Sequence, residues 1–204
     1  METGRDKASL VVETIGELVR EIAIVPDQLS VVGTRQGPSV VIQITANAAD
    51  CRRIVGKAGQ CLSALKSVAH LLAEGDGRRD LQVNFTRVTS TSEHEAPFLR
   101  YVERTREWSV NECNRHLDLF AKILGAMFPG SDPTWNVTQR GDSAWWVTFL
   151  VGDGENRSRI EQCRKAVHAL LVTISYRNGI TIYADVTTAG GRAHEPIDAA
   201  RRTA

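Results

Sequence analysis

Two segments of this 204-residue chain repeat one plan at a countable offset. Shifted by 105 residues, Glu17-Leu18-Val19 falls on Lys122-Ile123-Leu124, Asp27 on Asp132, Val32 on Val137 and Arg35 on Arg140. The same shift lays Val40-Val41-Ile42-Gln43-Ile44 on Trp145-Trp146-Val147-Thr148-Phe149 without a gap. Beyond that strand the offset becomes 99, so that Lys66 meets Lys165, Val68 meets Val167, Leu71-Leu72 meet Leu170-Leu171, and Leu81 and Val83 meet Ile180 and Ile182. The second copy is therefore six residues shorter, 105 less 99, where the first carries Gly56-Lys57-Ala58-Gly59. A unit of about 75 residues buries little core alone, which favours two such units joined together.

Within the first unit the periodicities predict helix, strand, strand, helix, helix, strand. Leu10, Ile15, Leu18, Val19 and Ile22 recur at helical spacing, and Pro26 bars continuation. Leu29 to Arg35 reads as a strand, Gln36-Gly37-Pro38 as a turn. Val40, Ile42, Ile44 and Ala46 then alternate with polar Gln43 and Thr45, as in a strand with one covered face. Asp50 to Val55 reads as a short helix. Gln60 to Glu74 carries Leu62, Leu65, Val68, Ala69 and Leu72 in helical phase, and Leu81, Val83 and Phe85 alternate in a closing strand.

The segment Arg52-Arg53-Ile54-Val55-Gly56-Lys57-Ala58-Gly59-Gln60 carries the chemistry. Two glycines separated by two residues, between two helices, make a tight turn whose main chain is not screened by side chains. The second glycine opens a helix, whose free N–H groups and positive dipole end suit a phosphate. Lys57 adds a point charge at the tip, and Ile54 and Val55 are expected to wall a shallow apolar groove for unpaired bases. Charge supports the same place. From Cys51 to Val88, seven basic residues (Arg52, Arg53, Lys57, Lys66, Arg78, Arg79, Arg87) meet three acidic ones, a net of +4 in a chain whose total is +1.

These elements, with Ile54-Val55-Gly56-Lys57-Ala58-Gly59-Gln60 and then Leu62 and Leu65 in a helix, resemble a KH domain of the bacterial type II topology. The likeness is nearest to the small single-KH RNA-binding proteins of the KhpA type, and to the KH module of Jag-like proteins around Gly56 to Leu65. It covers about residues 9–87. The resemblance implies a Gly-x-x-Gly loop that clamps the backbone of about four nucleotides of single-stranded RNA. It places that loop at Gly56, Lys57, Ala58 and Gly59, with Ile54, Val55, Arg52, Arg53, Gln60 and Lys66 around it.

The expected class is thus α+β: two type II KH-like modules (α-β-β-α-α-β, a three-stranded sheet with helices on one face), the second degenerate. The boundaries are 8–88 for the first module, 89–97 for a polar linker, 98–187 for the second module and 188–204 for a flexible tail. The second copy lacks Gly-x-x-Gly; its strand leads into Gly152-Asp153-Gly154-Glu155, which offers carboxylates and reads as a turn. From Asp132 to Thr187 six basic residues balance six acidic ones. What marks it instead is Trp145-Trp146-Val147-Thr148-Phe149-Leu150-Val151, apolar on both strand faces. Two greasy faces need two covers, so Trp135, Trp145, Trp146 and Leu150 are expected at an interface, either with the first module or with a partner. Stacking of these tryptophans on bases is the alternative.

No catalytic constellation, metal-ligand spacing or cofactor motif stands out. His70 and His168 sit in amphipathic helices, and His116 and Asp118, two apart, do not share a helix face. The four cysteines are scattered with no C-x-x-C, which predicts reduced thiols in a cytoplasmic protein. The polar N-terminus is not of signal-peptide type, and no apolar run approaches the ~20 residues that span a bilayer. The reading is a non-enzymatic binder of single-stranded RNA with no membrane role, its second module serving assembly. A homodimer, another RNA-handling protein and the ribosome stand as partners beside the RNA. The competing reading is a scaffold protein, ribosome-associated among its settings, that keeps the fold without using it for RNA.

Overall fold

A computed structural model describes residues 6–74, 81–86, 88–90, 110–139, 144–153, 156–176, 181–188 and 190. In chain order they form α1 (Lys7–Ile22), β1 (Ser30–Gln36), β2 (Ser39–Ala46), α2 (Ala48–Val55), α3 (Gln60–Ala73), β3 (Gln82–Phe85), β4 (Thr89–Ser90), α4 (Val110–Met127), β5 (Thr134–Gln139), β6 (Ala144–Val151), α5 (Arg157–Tyr176) and β7 (Thr181–Thr188). The fold is α+β with two mixed sheets. In the first, β2 pairs antiparallel with β1 and parallel with β3; in the second, β6 pairs antiparallel with β5 and parallel with β7.

The alternation read in β2 is the alternation of burial: Val40, Ile42, Ile44 and Ala46 all lie in the core. Across the sheet, Val11, Ile15, Leu18, Val19 and Ile22 of α1 and Leu65, Val68, Ala69 and Leu72 of α3 close over them. The helix α2 is held by polar bonds as well as by Ile54. Asn47 caps it, its Oδ1 accepting from the Asp50 N–H at 2.9 Å. The Asp50 carboxylate, 1% exposed, accepts from the N–H groups of Ile24 (2.7 Å) and Val25 (3.1 Å) and from Asn47 Nδ2 (2.8 Å). Arg53 Nε donates back to the Ile22 carbonyl at the end of α1. The buried Asp50 carboxylate thus finds its hydrogen-bond donors where the chain leaves α1.

The counted offsets reappear as pairing. Val40 lies opposite Val83 and Trp145 opposite Ile182, which are the same pair moved by 105 and 99. The strands β2 and β6 span 39–46 and 144–151, again 105 apart. The antiparallel partner strand slips, however. Ile44 faces Val31, whereas Phe149 faces Trp135, so β5 lies 104 residues beyond β1. A one-residue slip turns a strand over, and the expected match of Val32 with Val137 is corrected accordingly: Val137 takes the place of Gly33, and Val32 is 51% exposed. Arg140, the expected match of Arg35, lies outside the described residues. Among the described residues the shorter second half shows no counterpart of α2 between β6 and α5.

Two boundaries also move. Thr89 and Ser90, expected in the linker, extend the first sheet by pairing parallel to Thr45 and Ala46 of β2. The strand β7 runs to Thr188, into the expected tail. Residues 91–97, and the tail beyond Thr188 except Gly190, lie outside the described residues. The outer edge of β7 is covered by side chains: the N–H groups of Ile182, Ala184 and Val186 donate to Ser175 Oγ, His168 Nδ1 and Asp185 Oδ1.

The halves join helix to helix rather than through tryptophans. The long buried faces of α3 and α5 pack together, and residues of both halves form one contiguous core. Arg159, half-buried at the start of α5, seals the junction. Its Nη2 donates to the carbonyls of Leu71 near the end of α3 and of Met127 at the end of α4, and its guanidinium lies 5.3 Å from the Phe128 ring. A cation at two helix C-termini meets two favourable dipole ends at once. On the far side, Glu21 of α1 binds His116 Nε2 (2.8 Å) and Arg115 Nη2 (3.0 Å) of α4. The hydrogen bond from His116 holds the Glu21 carboxyl below the usual range against the opposing effect of its burial. Arg159→Leu keeps much of the packing and leaves the two helix-terminal carbonyls without this donor. It should lower unfolding stability by about 2–3 kcal/mol in urea melts, with loss of both halves' signals in a single transition because they share a core.

Candidate functional site

The turn between α2 and α3 departs from ordinary backbone at three of its four residues. Gly56 has φ 74° and ψ 176°, Ala58 φ 51° and ψ 28°, and Gly59 φ 77° and ψ 10°. Gly56 occupies a region essentially reserved for glycine. A Cβ built there would stand 2.7 Å from Cys61 Cβ and 2.9 Å from Cys61 N, inside the first turn of α3. At Gly59 a Cβ would meet nothing within 4 Å, so its requirement is conformational alone. Ala58 adopts the left-handed conformation with a side chain, at a cost of about 1 kcal/mol. No side chain caps the start of α3 at Gly59. The loop tip stands in solvent: Lys57 and Ala58 are exposed, and so are Arg52 and Gln60 on either side.

Beside the loop runs a groove of about 1070 Å³ that both halves build. One wall is Arg52, Arg53, Gly56, Lys57, Gln60 and the face of α3 with Cys61, Ser63, Ala64 and Ser67. The other is α5, contributing Gln162, Lys165, Ala166, His168, Ala169, Val172 and Thr173. Alanines and Cys61 give it an apolar floor. Its charged lining is Arg52, Arg53, Lys57 and Lys165, and among the described residues that line it there is no carboxylate. Lys165 shares its charge with Glu161 one turn away, Nζ to Oε1 at 3.4 Å. Burial pushes the Cys61 thiol up to about 11, so at neutral pH it stands in the groove as a protonated, weakly polar group. The same cause raises Cys113 to about 11 and Cys163 to about 12.

Of the residues singled out by sequence, Gly56, Lys57, Arg52, Arg53 and Gln60 line this groove, with Ala58 and Gly59 completing the loop beside it. Ile54 does not. It is 0% exposed and belongs to the core beneath α2, and half-buried Val55 is not in the lining either. The expected Ile54–Val55 wall is replaced by α5, because helical spacing turns Ile54 toward β2 while the arginines before it face out. Lys66 is exposed on α3 but outside the lining. Arg53 spends a donor on Ile22. Arg78, Arg79 and Arg87 lie outside the described residues.

The residues expected at an interface divide between the two faces of the second sheet. Trp135 and Trp145 pack against the core on the helix side, Trp135 Nε1 donating to Asp118 of α4 at 3.2 Å. Trp146 and Leu150 are half-exposed on the opposite face and take no part in the α3–α5 junction. Sequence reasoning missed the α5 wall altogether. Its signal was present in the run of small residues Ala166 and Ala169 beside Lys165, on a helix whose counterpart had already been placed next to the loop.

Compared with known proteins, the chain matches no family model and no curated protein. Its loop geometry makes a graded prediction. Gly56→Ala should cost at least about 2 kcal/mol of stability and Gly59→Ala about 1 kcal/mol, while Ala58→Gly stays within about 0.5 kcal/mol of the parent, strain relief offsetting chain entropy. Urea titrations of the three variants check the order, and equal losses at Gly56 and Gly59 would contradict the described loop.

Proposed function

We propose that this chain is a binder of single-stranded RNA, built as two type II KH-like modules of which the second is degenerate. The observation that carries the proposal is the exposed, lysine-tipped Gly56–Gly59 loop standing over a groove with four basic side chains and no carboxylate among its described lining residues. Gly56 and Gly59, which carry no Cβ and take φ above zero, leave the main chain open to an approaching phosphate. Lys57 and Arg52 supply charge from side chains with no ion pair among the described residues. The apolar floor of Cys61, Ala64, Ala166 and Ala169 gives a base face a dry surface to lie on. A width set by two helices suits an unpaired strand, whose bases are free to turn inward, in the way single strands are generally read.

The first module then supplies the loop and one wall, and the second acts through α5 as the other wall. This differs from a free-standing module, because the groove needs both halves. The order of elements α1-β1-β2-α2-α3-β3 and the turn Gly56-Lys57-Ala58-Gly59 are what support the KH-like assignment of the first half. The shared strand pairing supports it for the second.

Replacing Lys57 and Ala58 together by aspartate places two negative charges at the tip. Aspartate tolerates the left-handed conformation of Ala58, so the thermal midpoint should stay near that of the parent. Affinity for a ten-nucleotide single-stranded RNA, measured by filter binding at fixed salt, should fall at least about ten-fold. For the parent chain, log K should decline with log salt by about 0.7 for each phosphate contacted. Undiminished affinity in the double variant would sink the proposal.

A further inference from the structure

The groove does not end at α5. His168 belongs to its lining and at the same time lies against Tyr183 of β7, ring centroids 6.0 Å apart with planes inclined by 28°. Tyr183 in turn lies against Trp146 of β6 at 5.4 Å and 21°. Trp146 and Tyr183 face each other in the strand pairing, on the sheet surface turned away from the helices. Three near-parallel rings therefore step from the α5 wall of the groove, around the edge of the second sheet, onto the face turned away from the helices.

Each ring is fixed by the fold. Nδ1 of His168 accepts the Ala184 N–H at 3.2 Å, which orients the imidazole and puts its proton on Nε2. Tyr183 and Trp146 are locked by their places in adjacent strands. The series nonetheless remains open to solvent: Tyr183 is 37% exposed, one of three large hydrophobic residues to stand out so far among the described residues, and Trp146 and Leu150 beside it are half-exposed. Fixed aromatic faces bordering a basic channel are what sequence-tolerant binders of single strands use to stack bases, since every base has a π-face.

Resting on the reading of the groove as an RNA site, we infer that His168, Tyr183 and Trp146 form a base-stacking platform that continues the RNA path from the Gly56–Gly59 loop onto the second half. The occupant is fixed by continuity: His168 is shared between the basic groove and the ring series, so a strand lying in the groove is delivered to the rings. The degenerate half thus takes bases where the first half takes phosphates. A site size larger than one loop can hold follows directly.

The test compares two lengths of unstructured oligouridylate, four and twelve nucleotides, on the whole chain. In Trp146→Ala/Tyr183→Ala, affinity for the twelve-mer should fall about ten-fold, the loss expected for removing one to two stacked bases, with little change for the four-mer. Trp146→Phe/Tyr183→Phe keeps the ring faces and should restore most of the affinity, which separates lost stacking from lost folding. Equal twelve-mer affinity in the alanine variant, with the Lys57/Ala58 double aspartate still defective, overturns the platform and leaves the loop reading intact. No binding of either oligomer by the parent overturns both. A dimer in sedimentation that the alanine variant dissolves, at unchanged RNA affinity, would assign the rings to a second copy and overturn the platform as well.

Discussion

The packing of α3 on α5 is the constraint from which the rest of the molecule follows. Each half has one small sheet covered by helices on one side, and both long helices contribute buried apolar side chains to a shared core. Setting one helix against the other merges two marginal cores into one. The contact also decides where a ligand can go. Because α5 lies beside α2 and the start of α3 without filling the space between, it leaves a channel whose two walls come from different halves. Arg159 holds this arrangement at the helix C-termini, from which the channel is reached along the length of α3.

Charge is used economically. The formal total of +1 conceals a division of labour among the arginines. Arg53, Arg115, Arg159 and Arg164 are engaged with backbone carbonyls or carboxylates of the chain itself. Their work is structural, and of the local excess counted along the sequence Arg53 is spent there. What faces the channel with its charge uncommitted is a smaller set, centred on Arg52 and Lys57. A modest number of phosphate contacts fits such a set, and base contacts must then supply a larger share of any affinity.

Much of the fold was legible because binary patterns were strong. The strand Val40-Ile42-Ile44-Ala46 can bury one face only, and the gapless match to Trp145–Phe149 carried the strand assignment to the second half. The loop was legible because glycine spacing reports backbone conformation directly. The one-residue slip of β5 escaped detection because its residues alternate weakly, and register in such a strand is set by the hairpin rather than by its own pattern. Ile54 was misplaced for a related reason: two apolar residues between Arg53 and Gly56 are too short a run to give a phase. The backbone partners of Asp50 and Arg159 were not legible, since a sequence does not reveal that a carboxylate or guanidinium will find backbone partners 25 or more residues away.

The covered edge of β7 has a meaning beyond local hydrogen bonding. A sheet's last strand ordinarily invites another strand to lie alongside, and proteins spend charge, proline or bulges to discourage it. Here Ser175, His168 and Asp185 occupy three successive main-chain donors in turn, so a foreign strand arriving on that flank finds those donors already taken. Growth of the second sheet into a larger assembly is thereby disfavoured on the side that borders the rings. The same imidazole that presents a ring to the outside is the plug that keeps the flank closed, which ties solubility and the aromatic surface to a single side chain.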